Sequence, residues 1–402
     1  MPGNTLLTVN QITRKALMIL EQKLNFIGNM NRQYDSSFAN SGAKIGDSLR
    51  IRLPNQYVVR SGAPLSVQDT VEQSITLPVT TQKGVDTTFS SAELTLSMDD
   101  FSERILNPAM SVLSAAMEAD AFNMLKDVPY QVGGPGTVPA DLLTYLNSKA
   151  TLDTNLAPMD DQRTMIVPPL FEAKIVDVLK GLFQSSSEID SQYKSGRMGK
   201  TAGFNWFTNT LVPMFTPGSL ALTGSTLTTT ISAEGATSLA LTVASGNTIK
   251  KGQIFTVAGV YSVHPQTKAT LTTLYPFVAL ADNGGATTAI TVTVAPIYSS
   301  ASGGLQNVSA LPQSSAAIVP QVTTASTAYN QGVGFHKDAF TFATADLIMP
   351  QGVDFSAREV WQNLSMRVVR QYDINSDKMP TRIDVLYGYK CIRPQLAVRI
   401  AG

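Results

Sequence analysis

Cysteine is nearly absent. Cys391 stands alone among 402 residues, so no intrachain disulfide can form and covalent staples do not hold this fold. Histidine is almost as scarce. His264 and His336 each lie in a stretch of β character, with no Asp/Ser or Cys constellation nearby in sequence. A metal centre or a nucleophilic triad normally draws on more than that. Charge is sparse as well: charged residues make up 15% of the chain, 30 of each sign, for a net charge of zero, against about 25% in an average soluble domain. Proteins that hold nucleic acid by neutralising phosphates are usually basic, so this composition argues against a dedicated nucleic-acid reader. Low net charge also gives little protection against self-association. No apolar run approaches about 20 residues, so no membrane-spanning helix is expected. The opening MPGNTLLTVNQITRKALMIL lacks the basic segment, long apolar stretch and cleavage site of a secretory leader. A soluble protein, cytoplasmic when made, is the expectation.

Several short motifs suggest chemistry and fail on inspection. SGRMGKT (195–201) looks like a phosphate loop, but the position that needs glycine is Lys194 and no buried strand precedes it. Asp99–Asp100 and Asp160–Asp161 are adjacent acids at helix starts, where carboxylates serve as caps or dipole partners. Cys391 lies among apolar strand residues and reads as buried filler. His264 precedes Pro265 and reads as a turn residue, and His336 as a satisfied strand residue. No enzyme, cofactor or metal site is expected.

What is present is long-range organisation. A chain of 402 residues exceeds the roughly 250–300 that one core supports, so at least two structural units are expected. Residues 8–28 read as a helix. Thr8 and Gln11 have capping-box spacing, Val9, Ile12, Ala16, Leu20, Leu24 and Ile27 form an apolar stripe, and Gly28 is a stop. It is either a core helix or an arm that docks on another copy. Residues 44–96 change to β period and read as a long hairpin carrying Arg50, Arg52 and Arg60, punctuated by Gly62, Pro64 and Gly84. Such a hairpin has too little core to stand alone and should lie on something else.

The segment 99–128 holds the clearest helix. Asn107 is its expected N-cap, Pro108 its first residue, and Ser111, Ser114 and Glu118 its narrow polar stripe. Two further helices are expected over 139–183, the second starting at Pro168–Pro169 and burying Phe171, Ile175, Val178, Leu179 and Leu182. A mobile loop is expected over 184–200. From about 217 to 330 the only charged residues are Glu234, Lys250, Lys251, Lys268 and Asp282. Short β runs at 238–243, 253–263, 276–281 and 289–294, separated by SGN and DNGG, suggest an inserted barrel or sandwich. After 333, the segments 338–349, 358–374 and 381–392 read as long strands that pair beneath the 108–128 helix.

Four stretches then point one way. DDFSERILNPAMSVLSAAMEADAFNML (99–125), TAGFNWFTNTLVP (201–213), KKGQIFTVAGVYSVHPQTKATL (250–271) and DVLYGYKCIRPQLAVRI (384–400) resemble, in order, segments of P22-type tailed-phage coat proteins. The third is the most specific. The first ~95 residues agree in organisation only. The resemblance implies an α+β chain with the HK97 capsid fold plus an inserted β-barrel. Its parts would be an N-terminal arm (1–40), an E-loop hairpin (44–90), a peripheral domain (91–137 with 334–402, spine helix 108–128), an axial domain (138–216) and the insertion (217–333). It also implies pentamers and hexamers of one subunit in an icosahedral shell around double-stranded DNA, assembled with a scaffolding protein, filled through a portal, and open to a decoration protein. The shell would be built in the host cytoplasm and end in the virion. Candidate inter-subunit contacts are Ile12, Leu20, Leu24, Arg50, Arg52 and Arg60. No Lys/Asn pair stands out as a covalent cross-link.

Three readings compete. An encapsulin-like compartment shares the fold but lacks the insertion. A secreted or surface β-rich adhesion or carbohydrate-binding protein would explain the Thr/Ser-rich segment but not the helical first half. An enzyme with an appended β-module lacks a coherent site.

Overall fold

A computed structural model describes residues 9–35, 48–57, 59, 62–63, 65, 67, 72–89, 102–179, 199–219, 224–284, 288–300, 304–321, 325–375 and 378–402. The expected cap Thr8, the acids Asp99 and Asp100, Arg60, Leu182 and nearly all of the expected loop over 184–200 lie outside the described residues. The chain divides into two compact units, Met1–Ile51 with Ile75–Phe122 and Phe340–Ile392, and Arg52–Ser74 with Asn123–Ala339 and Arg393–Gly402. The architecture is mixed α/β, with helices packed on sheets in both units.

In the first unit, helix α1 (Val9–Lys23) follows its sequence stripe. Ile12, Ala16, Leu17, Ile19 and Leu20 are buried while Met18 is exposed. The stripe packs on helix α2 (Asn107–Ala121) and on the strands Phe355–Trp361 and Leu364–Arg370. Beyond α1, Phe26 stacks on Phe122 with ring centroids 4.5 Å apart and meets Phe340 edge-on at 5.3 Å. Large buried rings of this kind dominate local packing energy.

Helix α2 differs from its sequence reading at both ends. Asn107 does not cap it, because a π-helical turn, Ser102–Leu106, leads straight into it. Pro108 lacks an N–H and cannot make the ordinary i to i−4 bond, and the wider turn just upstream removes the need for a clean start. After Ala121 the helix tightens to a 3₁₀ run, Phe122–Asp127. The expected polar stripe is split: Ser111 stays exposed, whereas Ser114 and Glu118 are buried. Glu118 accepts the Phe26 backbone N–H at 2.6 Å. An apolar-face count could not find this, because the partner lies 92 residues away.

The sheet of this unit runs Asn31–Asp35, Phe340–Ala345, Met379–Cys391, Leu364–Arg370, Phe355–Trp361, and Thr81–Phe89 also pairs with Met379–Cys391. The stretch read as one strand over 358–374 is a hairpin. Gln362 and Asn363 both have positive φ, 47° and 62°, the signature of a type I′ turn made without glycine. Gly84 is no punctuation mark. It sits inside Thr81–Phe89, where a Cβ would come within 2.4 Å of the Ile383 carbonyl oxygen, so the two strands approach only because glycine is there. The hairpin expected over 44–96 is paired as Ser48–Arg52 with Ser74–Pro78, after which its second limb joins the sheet.

In the second unit a six-stranded sheet runs Gln131–Gly133, Ala397–Ala401, Gln331–His336, Arg163–Val167, Phe204–Thr208, Lys200–Thr201. Helix α3 (Leu142–Thr154) packs on it and is capped by Asp141, whose carboxylate accepts the Thr144 N–H at 3.2 Å. Helix α4 (Pro169–Leu179) buries Phe171 and Ile175 but leaves Val178 exposed. Between these helices lies a strand the sequence reading missed. Arg163–Val167 is fully buried, and its apolar run, Met165 to Val167, is too short to be told from helix by periodicity.

Residues 226–320 form short strands around one apolar cluster that includes Leu239, Leu241, Phe255, Val257, Phe277, Val292, Val294 and Ile318. Ala236–Thr242 pairs with Ala289–Ile297, Ile254–Val263 with Thr270–Val278 and Ile318–Pro320, and Thr248–Ile249 with Asn283–Gly284. Ala289–Ile297 buries alternate residues through most of its length, as a sheet with one face toward a core must.

Candidate functional site

The residues expected to meet another copy fall into two groups. Ile12, Leu20 and Leu24 are 6%, 0% and 5% exposed. The stripe they form is already occupied inside the first unit by α2 and by the hairpin Phe355–Arg370. Arg50 and Arg52 are exposed on the Ser48–Arg52 strand, where Arg52 meets Glu72 across the ribbon at 3.6 Å. Alternation sends Leu49 and Ile51 to the opposite face, where they pack on Leu77, Val79, Ala343, Ala345, Leu347 and Leu386. One face of this ribbon is thus packed on the sheet and the other carries Arg50 and Arg52.

Past Arg52 the limb loses its core. Tyr57, Val59, Leu65 and Val67 are 61%, 91%, 83% and 82% exposed. Single exposed apolar residues are ordinary, but four on one short stretch mark a contact surface. Sequence reasoning singled out the arginines here and missed the apolar residues, although their spacing at 57/59 and 65/67 was the available signal.

Polar anchors fix both units. Helix α2 is tied to its sheet through Asp120, which accepts from the Tyr387 hydroxyl at 2.6 Å and from Lys83 Nζ at 2.7 Å. Burial, then the bonded Asp120 carboxylate, pushes the Tyr387 hydroxyl well above its ordinary pKa, so it stays a donor. Asp384 is buried between Arg367, at 2.7 Å, and Gln82, at 2.6 Å. Asp346 is buried between Arg358, at 3.2 Å, and the Ser365 hydroxyl, at 2.6 Å.

The second unit holds two buried arginines with opposite solutions. Arg163 donates to Asp153 Oδ1 at 2.6 Å and to the carbonyls of Ala157 and Pro158 at 2.6 and 2.9 Å. Partial burial opposes ionisation of Asp153, but the bonds from Arg163 and Lys149 outweigh it and hold its pKa below the usual range. Arg399 donates to one carbonyl, Gly252 O at 2.7 Å, and its guanidinium lies 5.6 Å from the Phe215 ring centre. Among the described residues its Nε and Nη1 have no hydrogen-bond partner. Burial lowers its pKa to about 10, which still leaves it charged at neutral pH.

The expected chemical candidates resolve structurally. His264 Nδ1 accepts the N–H groups of Gln266 and Thr267, which makes it a turn residue. His336 is buried, meets Asp160 at 3.1 Å through Nε2, and accepts the Asp338 N–H at Nδ1. Asp161 pairs with Lys200 at 2.7 Å. Cys391 is buried at the end of its strand. Among the described residues no group of three or more His, Cys, Asp or Glu is placed to hold a metal ion, and no helix is long and apolar enough to cross a membrane.

The family model described as P22 coat protein, gene protein 5, matches residues 19–402. No curated protein matches the chain. Among solved structures, one from Mycobacterium phage Che8 is similar at 11% identity, over 94% of this chain and 90% of that one, with a TM-score of 0.44. The capsid of cyanophage P-SCSP1u is similar at 10% identity, over 93% and 86%, also with a TM-score of 0.44. The CUS-3 coat protein I-domain is 28% identical over 25% of this chain and 96% of its own length, with a TM-score of 0.20.

Proposed function

The chain belongs to the P22 coat protein family and is a phage major coat protein, and from that premise we propose that its copies join as pentamers and hexamers of an icosahedral shell around double-stranded DNA. In this reading the chain follows the HK97-type plan: arm 1–40, E-loop hairpin 44–90, peripheral domain 91–137 with 334–402, axial domain 138–216, and an inserted barrel 217–333. The family match over residues 19–402 carries the reading. A scaffolding protein guides closure, a portal occupies one vertex, and a decoration protein is a further candidate partner. Assembly takes place in the host cytoplasm and the product is the virion capsid. The chain is a structural subunit and not a catalyst.

The geometry favours the hairpin as the device that joins copies. Arg50 and Arg52 bring cations on an exposed strand, Arg60 adds a third by sequence alone, and Tyr57, Val59, Leu65 and Val67 supply exposed apolar area. The α1 stripe serves the subunit's own core. A shell repeats one modest contact many times by symmetry, so such a limb suffices. Zero net charge is compatible with enclosed DNA, which brings its own counterions.

Replacing residues 54–71 by a short turn tests this directly. The shortened protein should keep its melting temperature and far-UV circular dichroism, because the large apolar residues described in this stretch, Tyr57, Val59, Leu65 and Val67, are exposed. It should fail to form shells in sedimentation with its scaffolding protein. Normal shells from that variant would contradict the assignment.

A further inference from the structure

Within the second unit the first limb of the hairpin is not free in space: it rests on the 226–320 segment at one small notch. Lys268 Nζ donates to Gln56 Oε1 and to the Gln306 carbonyl, each at 3.2 Å. On the other side of Gln56 lies Gly304, with φ +72°. A Cβ at Gly304 would sit 2.9 Å from both the carbonyl carbon and the Cβ of Gln56, closer than side-chain carbons pack, so the limb's backbone fills the space that a side chain would take.

One wall of the notch is fixed by bonds that do not involve the limb. Lys268 sits in a left-handed conformation, φ +58°, at the end of a turn. In that turn the Lys268 N–H bonds to the His264 carbonyl at 3.0 Å and the His264 N–H to the Ala269 carbonyl at 2.8 Å. His264 Nδ1 accepts the N–H groups of Gln266 and Thr267, two of the three residues between. This gives the scarce His264 and the conformationally strained Lys268 a shared role. Burial lowers the ammonium's pKa, and both its acceptors are neutral oxygens. No carboxylate therefore faces the ammonium in this contact, and a competing neighbour has two hydrogen bonds to replace rather than an ion pair.

We propose that the Lys268–Gly304 notch is a holding site for the hairpin's first limb, keeping residues 53–57 on the subunit's own 226–320 segment before assembly, so that shell formation has to release them. The idea rests on the reading that the hairpin joins copies. It explains how an exposed apolar limb avoids premature pairing with other subunits: the limb's base is held and its approach to neighbours is restricted until a neighbour competes for it.

Two variants of the full chain test the proposal. Lys268→Met removes the donor and keeps the aliphatic reach. The pair Gln56→Cys with Gly304→Cys places two thiols where a small outward shift meets disulfide spacing of about 3.5–4.5 Å between Cβ atoms. The first should speed trypsin cleavage within residues 50–60 of the unassembled subunit severalfold, with an unchanged melting temperature. The second, when oxidised, should form shells with scaffolding protein severalfold more slowly than the same protein reduced. Unchanged cleavage overturns the holding contact, and equal assembly rates of oxidised and reduced forms overturn the need for release. If neither wild type nor reduced variant forms shells, the assembly reading of the hairpin fails, and the cleavage result still decides the holding contact.

Discussion

The strand Ala289–Ile297 buries Ile290, Val292, Val294 and Ile297 and sends Thr291 and Thr293 to solvent. The strand Phe340–Ala345 buries every residue, Thr341 and Thr344 included. The first belongs to a sheet with one dry face, and the second to a sheet covered on both. A one-faced sheet needs only a pattern. A two-faced sheet must also find a partner for each polar group it encloses, because an unpaired buried donor or acceptor costs about 1–3 kcal/mol. The buried Asp346, Asp384 and Glu118 of the first unit all have partners. The contrast separates what a subunit fold states locally from what it settles through contacts distant in sequence.

The largest expected effect comes from removing the ring that covers the two-faced sheet. Phe26→Ala deletes a side chain stacked on Phe122 and edge-on to Phe340 and should cost about 3–5 kcal/mol in urea unfolding. A smaller loss would show that residues after α1 are a loose attachment. The same swap in each strand sharpens the comparison. Thr344→Val removes a hydroxyl that donates to the Asn363 carbonyl at 2.9 Å and accepts the Ser365 N–H at 3.1 Å. It should destabilise by about 1–3 kcal/mol, whereas Thr293→Val on the exposed face should stay within about 0.5 kcal/mol. Equal effects would break the distinction.

Arg399 is the exception on the buried side. Because it is charged, enclosed and bonded to one carbonyl, Arg399→Met should fall between a loss of about 1 kcal/mol and a modest gain in stability, as buried ion replacements often do. Thermal unfolding decides this, and a loss as large as that of Phe26→Ala would mean that ordered water satisfies the guanidinium. The smallest effect is a pH dependence. Asp282 accepts the Lys251 N–H at 2.7 Å and pairs with Lys250 at 3.2 Å. These bonds hold its pKa below the carboxylate range. A depressed folded pKa means stability that is present above the unfolded value, about 4, and lost as pH falls through the folded one. Asp282→Asn should therefore slightly flatten the acid limb of unfolding and leave neutral stability nearly unchanged.

Legibility in the sequence followed the same division. The apolar spacing of α1 and α2 and the Pro168–Pro169 helix start are local signals, and those elements lie close to where the signals put them. The Gln362–Asn363 turn was hidden because neither residue is glycine. The Arg163–Val167 strand was hidden because its apolar run is short and flanked by helices. The inward turn of Glu118 needed knowledge of Phe26, and Arg399 needed Gly252. For the candidate site, the exposure of Arg50 and Arg52 was readable from alternation. That the α1 stripe is filled by its own unit was not, since an apolar stripe does not name its partner.

The most direct test of the central claim is electron cryo-microscopy of the purified protein coexpressed with its scaffolding protein. The account predicts closed icosahedral shells of pentamers and hexamers, with the hairpin density crossing onto a neighbouring subunit. A monodisperse monomer under every condition, or shells in which the hairpin stays on its own subunit, would contradict it.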